Sequence, residues 1–267
     1  MAILSISREY RSGGRVIGQA VAQQIGYDFV DKDRIHVDLK TVGEKWGRLV
    51  EEFDEVRPHL WEKYDWEYRG FIALMESFIF QHALKDRVVI VGRGSHILLQ
   101  EIPQVLKVRL FAPLEARIER VMLNNEIDLE TAERLIEKTD QSRAGYLQVI
   151  YGKHWEDRKC YDLMFNTGIQ TCEQVTQELM GALKQWDQRA TPEGRQRLEN
   201  LALTARVKAR IFTHPEVFIP TLEVFHDGQS IVLKGVVHTP KEYHLVEEMV
   251  HKMADPHPVR NELHYRK

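Results

Sequence analysis

Cysteine is scarce: Cys160 and Cys172 are the only two in 267 residues, and they form no CxxC pair. That excludes a disulfide framework and suits reduced thiols in the cytoplasm. Long apolar runs are missing as well. Val88 to Val91 is typical of the longest, against the roughly 18 to 20 apolar residues needed to cross a bilayer. Strand-like Ala2 to Ile6 begins at once, with no basic region or cleavage site ahead of it, so no secretory signal is expected. Positive charge is not in excess either. A net charge of −3 provides no bulk attraction for nucleic acid. The twelve histidines form no HExxH, HxxxH or Cys/His cluster, which argues against a metal centre. There is no GxSxG or other local signal for a covalent nucleophile.

What remains is an ordinary globular composition, 43% hydrophobic and 29% charged, enough for a sizeable core. Apolar runs alternate with helical periodicity, the pattern of a parallel sheet covered by helices on both faces. Strands are expected at Ala2–Ser7, Tyr27–Val30, Val88–Val91, Val105–Phe111 and Tyr161–Asn166. Helices are expected from Gly14, from Leu114 after Pro113, from Asp128 as a cap, and over Val175–Trp186. Residues 34–85 read as helical and rich in aromatics, in a position that suits an acceptor-binding subdomain.

The polar stretch Asp187 to Gly194 is the expected boundary between a nucleotide-binding domain at 1–190 and a small α-β-β-α-β domain at 195–267. Seven of the twelve histidines lie in the smaller part. There, Asp227-Gly228 marks a hairpin, and Thr239-Pro240-Lys241-Glu242 reads as a capping box with proline at the first helical position. Val259 to Tyr265 alternates as a final strand.

Between the first strand and first helix lies Ser7-Arg8-Glu9-Tyr10-Arg11-Ser12-Gly13-Gly14-Arg15-Val16. Backbone N–H groups converge at such a helix start and the helix dipole favours anions, so this is a candidate phosphate cradle. Laid on GxxxxGK[ST], it keeps only Gly14, with Arg15 at the lysine position and Val16 at the Ser/Thr position. Arginine can hold phosphate. Valine cannot ligate magnesium, which leaves Ser12, water or the nucleotide to hold it. Gly92-Arg93-Gly94 follows a buried strand, where ligand crevices of open parallel sheets lie, so Arg93 is placed for a second phosphate. Lys138 and Arg143 flank a basic segment suited to closing over phosphates, or else form a solvated helix face. Asp31 and Asp33 either accept from a ribose or base, or cap the next helix.

Together, Ile6 to Arg15, Val89 to Gly94, Val108 to Leu114, Lys138 to Tyr146 and Tyr161 to Thr167 closely resemble the cytidylate-kinase-like family, over about residues 1–186. The resemblance implies a P-loop kinase fold, with ATP as donor, Mg²⁺, and a pyrimidine nucleoside monophosphate such as CMP as acceptor. By that likeness Ser12, Gly13, Gly14, Arg15 and Val16 cradle the donor phosphates. Arg93 binds the acceptor phosphate, Lys138, Asp140 and Arg143 belong to a closing lid, and Asp31 sits near the acceptor nucleoside. Arg11 stands where the family usually has glycine, and Gly94 where cytidylate kinases carry aspartate. Residues 195–267 resemble a BON domain, which implies binding of membranes, partners or small ligands. A competing expectation is a catalytically weak nucleotide sensor that controls this module.

Overall fold

The computed structural model describes residues 1–53 and 61–265. They divide into two compact units, Met1–Leu60 with Lys85–Arg195, and Trp61–Leu84 with Gln196–Lys267.

The first unit opens with β1 (Ile3–Arg8), α1 (Gly14–Ile25), β2 (Asp28–Val30), α2 (Lys32–Val42) and α3 (Glu44–Phe53). The chain then contributes α4 (Trp66–Leu84) to the second unit. It returns as β3 (Val88–Val91), α5 (Ser95–Leu98), β4 (Val105–Phe111), α6 (Leu114–Asn125), α7 (Leu129–Tyr151), β5 (Leu163–Asn166) and α8 (Cys172–Asp187). The five strands are parallel, in the order β2-β3-β1-β4-β5. Val88, Val89, Ile90 and Val91 of β3 are all buried, which is why this strand reads as a continuous β-branched run. β1 is the central strand: Ile3 is in register with Val88 on one side and Val105 on the other. One core gathers Leu4 and Ile6 of β1, Ile17 and Val21 of α1, Val108 of β4, and Val175 and Leu179 of α8. With β1 central, the turns that leave β1 and β3 emerge side by side at the carboxyl edge of the sheet.

The second unit contains α4, α9 (Pro192–Phe212), β6 (Glu223–His226), β7 (Ile231–Val237), α10 (Pro240–Ala254) and β8 (Val259–Tyr265). Its three-stranded sheet runs β6-β7-β8, antiparallel then parallel. The hairpin expected at Asp227 is present: its carboxylate accepts from Ser230 N at 2.8 Å and Gln229 N at 2.9 Å. Those backbone bonds, Ser230 first, hold its pKa down at about 2. Thr239 caps α10 by accepting from Glu242 N at 3.1 Å. The reciprocal half of the capping box is not made. Glu242 instead accepts from Phe218 N (2.7 Å) and His238 N (2.8 Å).

Two stretches differ in local structure from their sequence pattern. Pro192 and Gly194, expected in a linker, begin α9. Thr191 caps it, accepting from Gly194 N at 3.0 Å, and proline takes the first helical position. The division between units falls after Arg195, inside this helix. The aromatic helix α4 belongs to the second unit, although in sequence it interrupts the first.

Candidate active site

The loop after β1 is held by its own buried polar groups. The Ser12 hydroxyl, fully buried, donates toward Glu9 O (2.9 Å) and Leu110 O (3.1 Å), and Thr167 Oγ1 donates to Ser12 O (3.0 Å). The chain turns through the left-handed region at Arg11 (φ 60°) and Gly13 (φ 85°). The glycine usual at the first of these positions would adopt that conformation without a Cβ penalty. No side chain caps α1. Its first intrahelical bond runs from Ile17 N to Gly13 O at 2.9 Å, so the amides of Gly14, Arg15 and Val16 have no acceptor within the helix. Three amides and the positive end of the helix dipole therefore meet at one point, as an anion site requires.

Charged side chains from three other elements, β4, α6 and α7, fix the loop backbone. Glu9 takes Arg109 Nη2 at 3.3 Å, Ala112 N at 3.2 Å and, as an ion pair at 3.5 Å, Arg117 Nε. Arg109 also donates to Trp155 O (2.9 Å) and lies over the Trp155 ring. Asp140 accepts from Tyr10 N at 2.8 Å and pairs with Arg117. Arg143 donates to Arg8 O at 3.1 Å, and Arg120 to Arg11 O at 3.0 Å and Thr167 O at 2.7 Å. A loop held this way is pre-organised for its ligand.

The residues singled out from sequence fall into different roles in this geometry. Gly13, Gly14, Arg15 and Val16 form the open helix start, with Val16 60% exposed. Arg15 directs its guanidinium to Asp33 (2.7 Å) and Asp31 (3.2 Å), and the Asp33 hydrogen bond raises its pKa further. Asp31 does cap α2, accepting from Asp33 N at 3.1 Å and Arg34 N at 3.3 Å. Arg93 sits at the apex of a turn in which Gly92, Arg93 and Gly94 all have positive φ (87°, 56° and 68°). Lys138, Asp140 and Arg143 lie in the middle of the 23-residue helix α7. Lys138 is exposed on it, while Asp140 and Arg143 face the loop backbone. The far end of α7 reaches the second turn, since a Cβ at Gly94 would stand 2.6 Å from Tyr151 Cε2.

None of the loop side chains fits a magnesium ion. Ser12 turns its hydroxyl inward, valine occupies the Ser/Thr position, and Asp31 and Asp33 are engaged by Arg15. Of the holders expected from sequence, Ser12 is engaged elsewhere, which leaves water or the nucleotide itself.

Beneath the loop lies a buried aromatic group that periodicity did not reveal. Trp155 Nε1 donates to Ser7 Oγ (2.8 Å), Tyr161 OH donates to Trp155 O (2.7 Å), and His96 stacks on Tyr161 with ring centroids 5.0 Å apart. With the Tyr161 proton directed to Trp155 O, His96 Nε2, 3.3 Å from the phenol oxygen, is placed to donate to it. Burial first, then Arg109, Lys107 and Arg8, lower the His96 pKa from 6.5 to about 3. A histidine depressed in the fold binds fewer protons than in the unfolded chain. Its contribution to stability is thus present above pH 6.5 and lost as pH falls toward 3, by up to about 1.4 kcal/mol per pH unit. Denaturant midpoints between pH 7 and 4 are expected to fall less steeply in His96→Phe than in the wild type; parallel curves would refute this.

Arg8, Glu9, Arg109, Arg117 and Arg120 escaped selection as single site residues. One signal was available: Arg109 and Lys107 interrupt the otherwise apolar strand Val105–Phe111, and charge inside a buried strand calls for a partner.

A parallel sheet in this order, with a glycine loop leading from its central strand into an uncapped helix, has the architecture of a P-loop kinase. The chain belongs to the cytidylate kinase-like family, whose model matches residues 3–169, and it is a kinase. It is similar to a cytidylate kinase of Methanopyrus kandleri, 29% identical over 159 residues, 58% of this chain and 79% of the relative. A cytidylate kinase of Pyrococcus horikoshii is 26% identical over 186 residues, 69% of this chain and 90% of the relative. Among solved structures, an uncharacterized protein from Eubacterium ventriosum shares the fold, with a TM-score of 0.54 at 20% identity, 69% of this chain and 99% of that one. No helix among the described residues is long and apolar enough to cross a membrane.

Proposed function

We propose that the first unit transfers the γ-phosphoryl group of ATP to the phosphate of a pyrimidine nucleoside monophosphate, CMP being the first acceptor to try. One observation carries this. Two turns rich in positive φ, Arg11 to Gly14 after β1 and Gly92 to Gly94 after β3, leave neighbouring strands at the same edge of the sheet. The first offers the free amides of α1 to the donor phosphates. The second presents Arg93, which neutralises the acceptor phosphate, and Lys138 of α7 adds charge as the substrates meet. An acceptor phosphate oxygen attacks the γ-phosphorus in line, the bond to the β-phosphate breaks, and ADP leaves with the electron pair. No covalent intermediate and no general base are required.

Residues 195–267 are read as a ligand- or partner-binding module of BON type, on their α-β-β-α-β order. The test of the kinase reading is ADP formation with Mg²⁺ and ATP against a panel of nucleoside monophosphates. CMP or another pyrimidine monophosphate is expected to support turnover. Arg93→Ala is expected to lower kcat/KM for the acceptor by about 10²-fold or more, with a smaller change in KM for ATP. An equal loss for donor and acceptor would move Arg93 out of the acceptor site.

A further inference from the structure

We infer that Arg8, rather than Arg15, supplies the cation that meets the transferred phosphoryl group; this rests on the kinase reading above.

In the GxxxxGK[ST] pattern the residue after the last glycine reaches the β- and γ-phosphates. Arg15 occupies that position in sequence, yet its guanidinium lies on Asp33 and Asp31, at 2.7 and 3.2 Å. Moving it to the donor would break two carboxylate contacts. It would also leave Asp31 and Asp33 uncompensated beside a polyanion.

The path that crosses the crevice belongs to another side chain. Arg8 is the last residue of the central strand. Its stem runs along Gly14, where an added Cβ would stand 2.7 Å from Arg8 Cβ and Cγ. Its head rests on Gly92, where a Cβ would overlap the guanidinium and stand 2.7 Å from Cζ. Gly14 opens α1 and Gly92 opens the Arg93 turn. The Arg8 side chain therefore spans from the donor amides to the acceptor turn, and it can do so only because both positions are glycine.

Its backbone is fixed to match. Arg143 donates to Arg8 O at 3.1 Å, Glu9 N donates to Leu110 O at 3.0 Å, and Gly92 N donates to Ile6 O at 2.8 Å. The α7 residue Arg143, expected from sequence to touch phosphate, here holds the residue that does. A guanidinium at this place offers a planar fork of N–H donors to the oxygens of the migrating group and takes part in no proton transfer.

The test compares Arg8→Met, which keeps the stem against Gly14 but removes the charge, with Arg15→Ala, after thermal melts show both folded. Two readouts are taken: affinity for ATP in Mg²⁺ by titration calorimetry, and kcat with the acceptor the wild type uses. Arg8→Met is expected to weaken ATP by about tenfold or more and to lower kcat by roughly 10²- to 10³-fold. Arg15→Ala is expected to lose less in each readout. Arg8→Lys should regain part of what Arg8→Met loses.

A larger loss in Arg15→Ala, or wild-type behaviour of Arg8→Met, would overturn the assignment, as would a wild type that binds no ATP. Should the wild type bind ATP but turn over no acceptor, the kinase reading fails. A tenfold weaker grip on ATP in Arg8→Met would then still support Arg8 as the loop's cation.

Discussion

A chain ending at Arg195 is expected to aggregate or melt far below the full-length protein, even though it keeps every strand of the parallel sheet. The reason lies in α4. Tyr68, Phe71, Ile72, Leu74, Met75, Ile79, Phe80 and Ala83 are all buried, and a helix that is apolar nearly all round needs cover on every side. Within its unit that cover comes from residues beyond Arg195. Phe212 lies against Trp66 with ring centroids 4.6 Å apart and also receives the Arg69 guanidinium. Arg69 donates to the carbonyls of Pro220 and Leu222. Lys208 meets the buried Glu76 at 3.2 Å. Uncovering even four large apolar side chains costs about 6–12 kcal/mol, comparable with the whole stability of a domain, about 5–15 kcal/mol. Gel filtration and a thermal melt of residues 1–195 would decide it, and a monomer melting like the full chain would refute it. Phe212→Ala in the full chain is the milder version, with an expected loss of about 3–5 kcal/mol.

That result also marks where sequence reasoning stops. The strands Val88–Val91 and Val105–Phe111 were legible because both faces are buried and no other element tolerates such runs of branched and apolar residues. The loop from Arg8 to Arg15 was legible because glycines at a strand-to-helix junction have few other uses. The allegiance of α4 was not, since periodicity reports that a face is buried and never by what. Nor was the start of α9: Thr191-Pro192 has the chemistry of a helix start, but polar neighbours and glycine made it read as a linker. Within the site, residue type suggested cations and the fold decided their direction. Arg15 faces two carboxylates, Asp140 and Arg143 face backbone, and the path of Arg8 shows only once Gly14 and Gly92 are brought to either side of it.

Glu9→Ala is expected to destabilise the protein by about 3–5 kcal/mol, the cost of leaving a buried charge without its partner. Arg109 is 3% exposed and Arg117 9% exposed, and Glu9 is the carboxylate that joins them. Arg117 keeps Asp140 after the change, so most of the loss falls on Arg109, left with Trp155 O and the rings of Trp155 and Tyr161. Glu9→Gln should cost less, because its amide oxygen still accepts from Ala112 N. The double variant Glu9→Leu with Arg109→Met removes both charges at nearly constant volume. It should be more stable than Glu9→Ala, since a buried pair replaced by apolar groups is often neutral while a broken pair is not. Denaturant unfolding of the variants at one pH supplies the comparison. A Glu9→Ala midpoint close to wild type would mean the loop is held without Glu9, by Ser12, Arg120, Asp140, Arg143 and Thr167. A stable double variant that no longer binds ATP would separate the two duties of this network: the fold can do without the charges, but the phosphate loop needs them to keep Arg8 and the α1 amides in place.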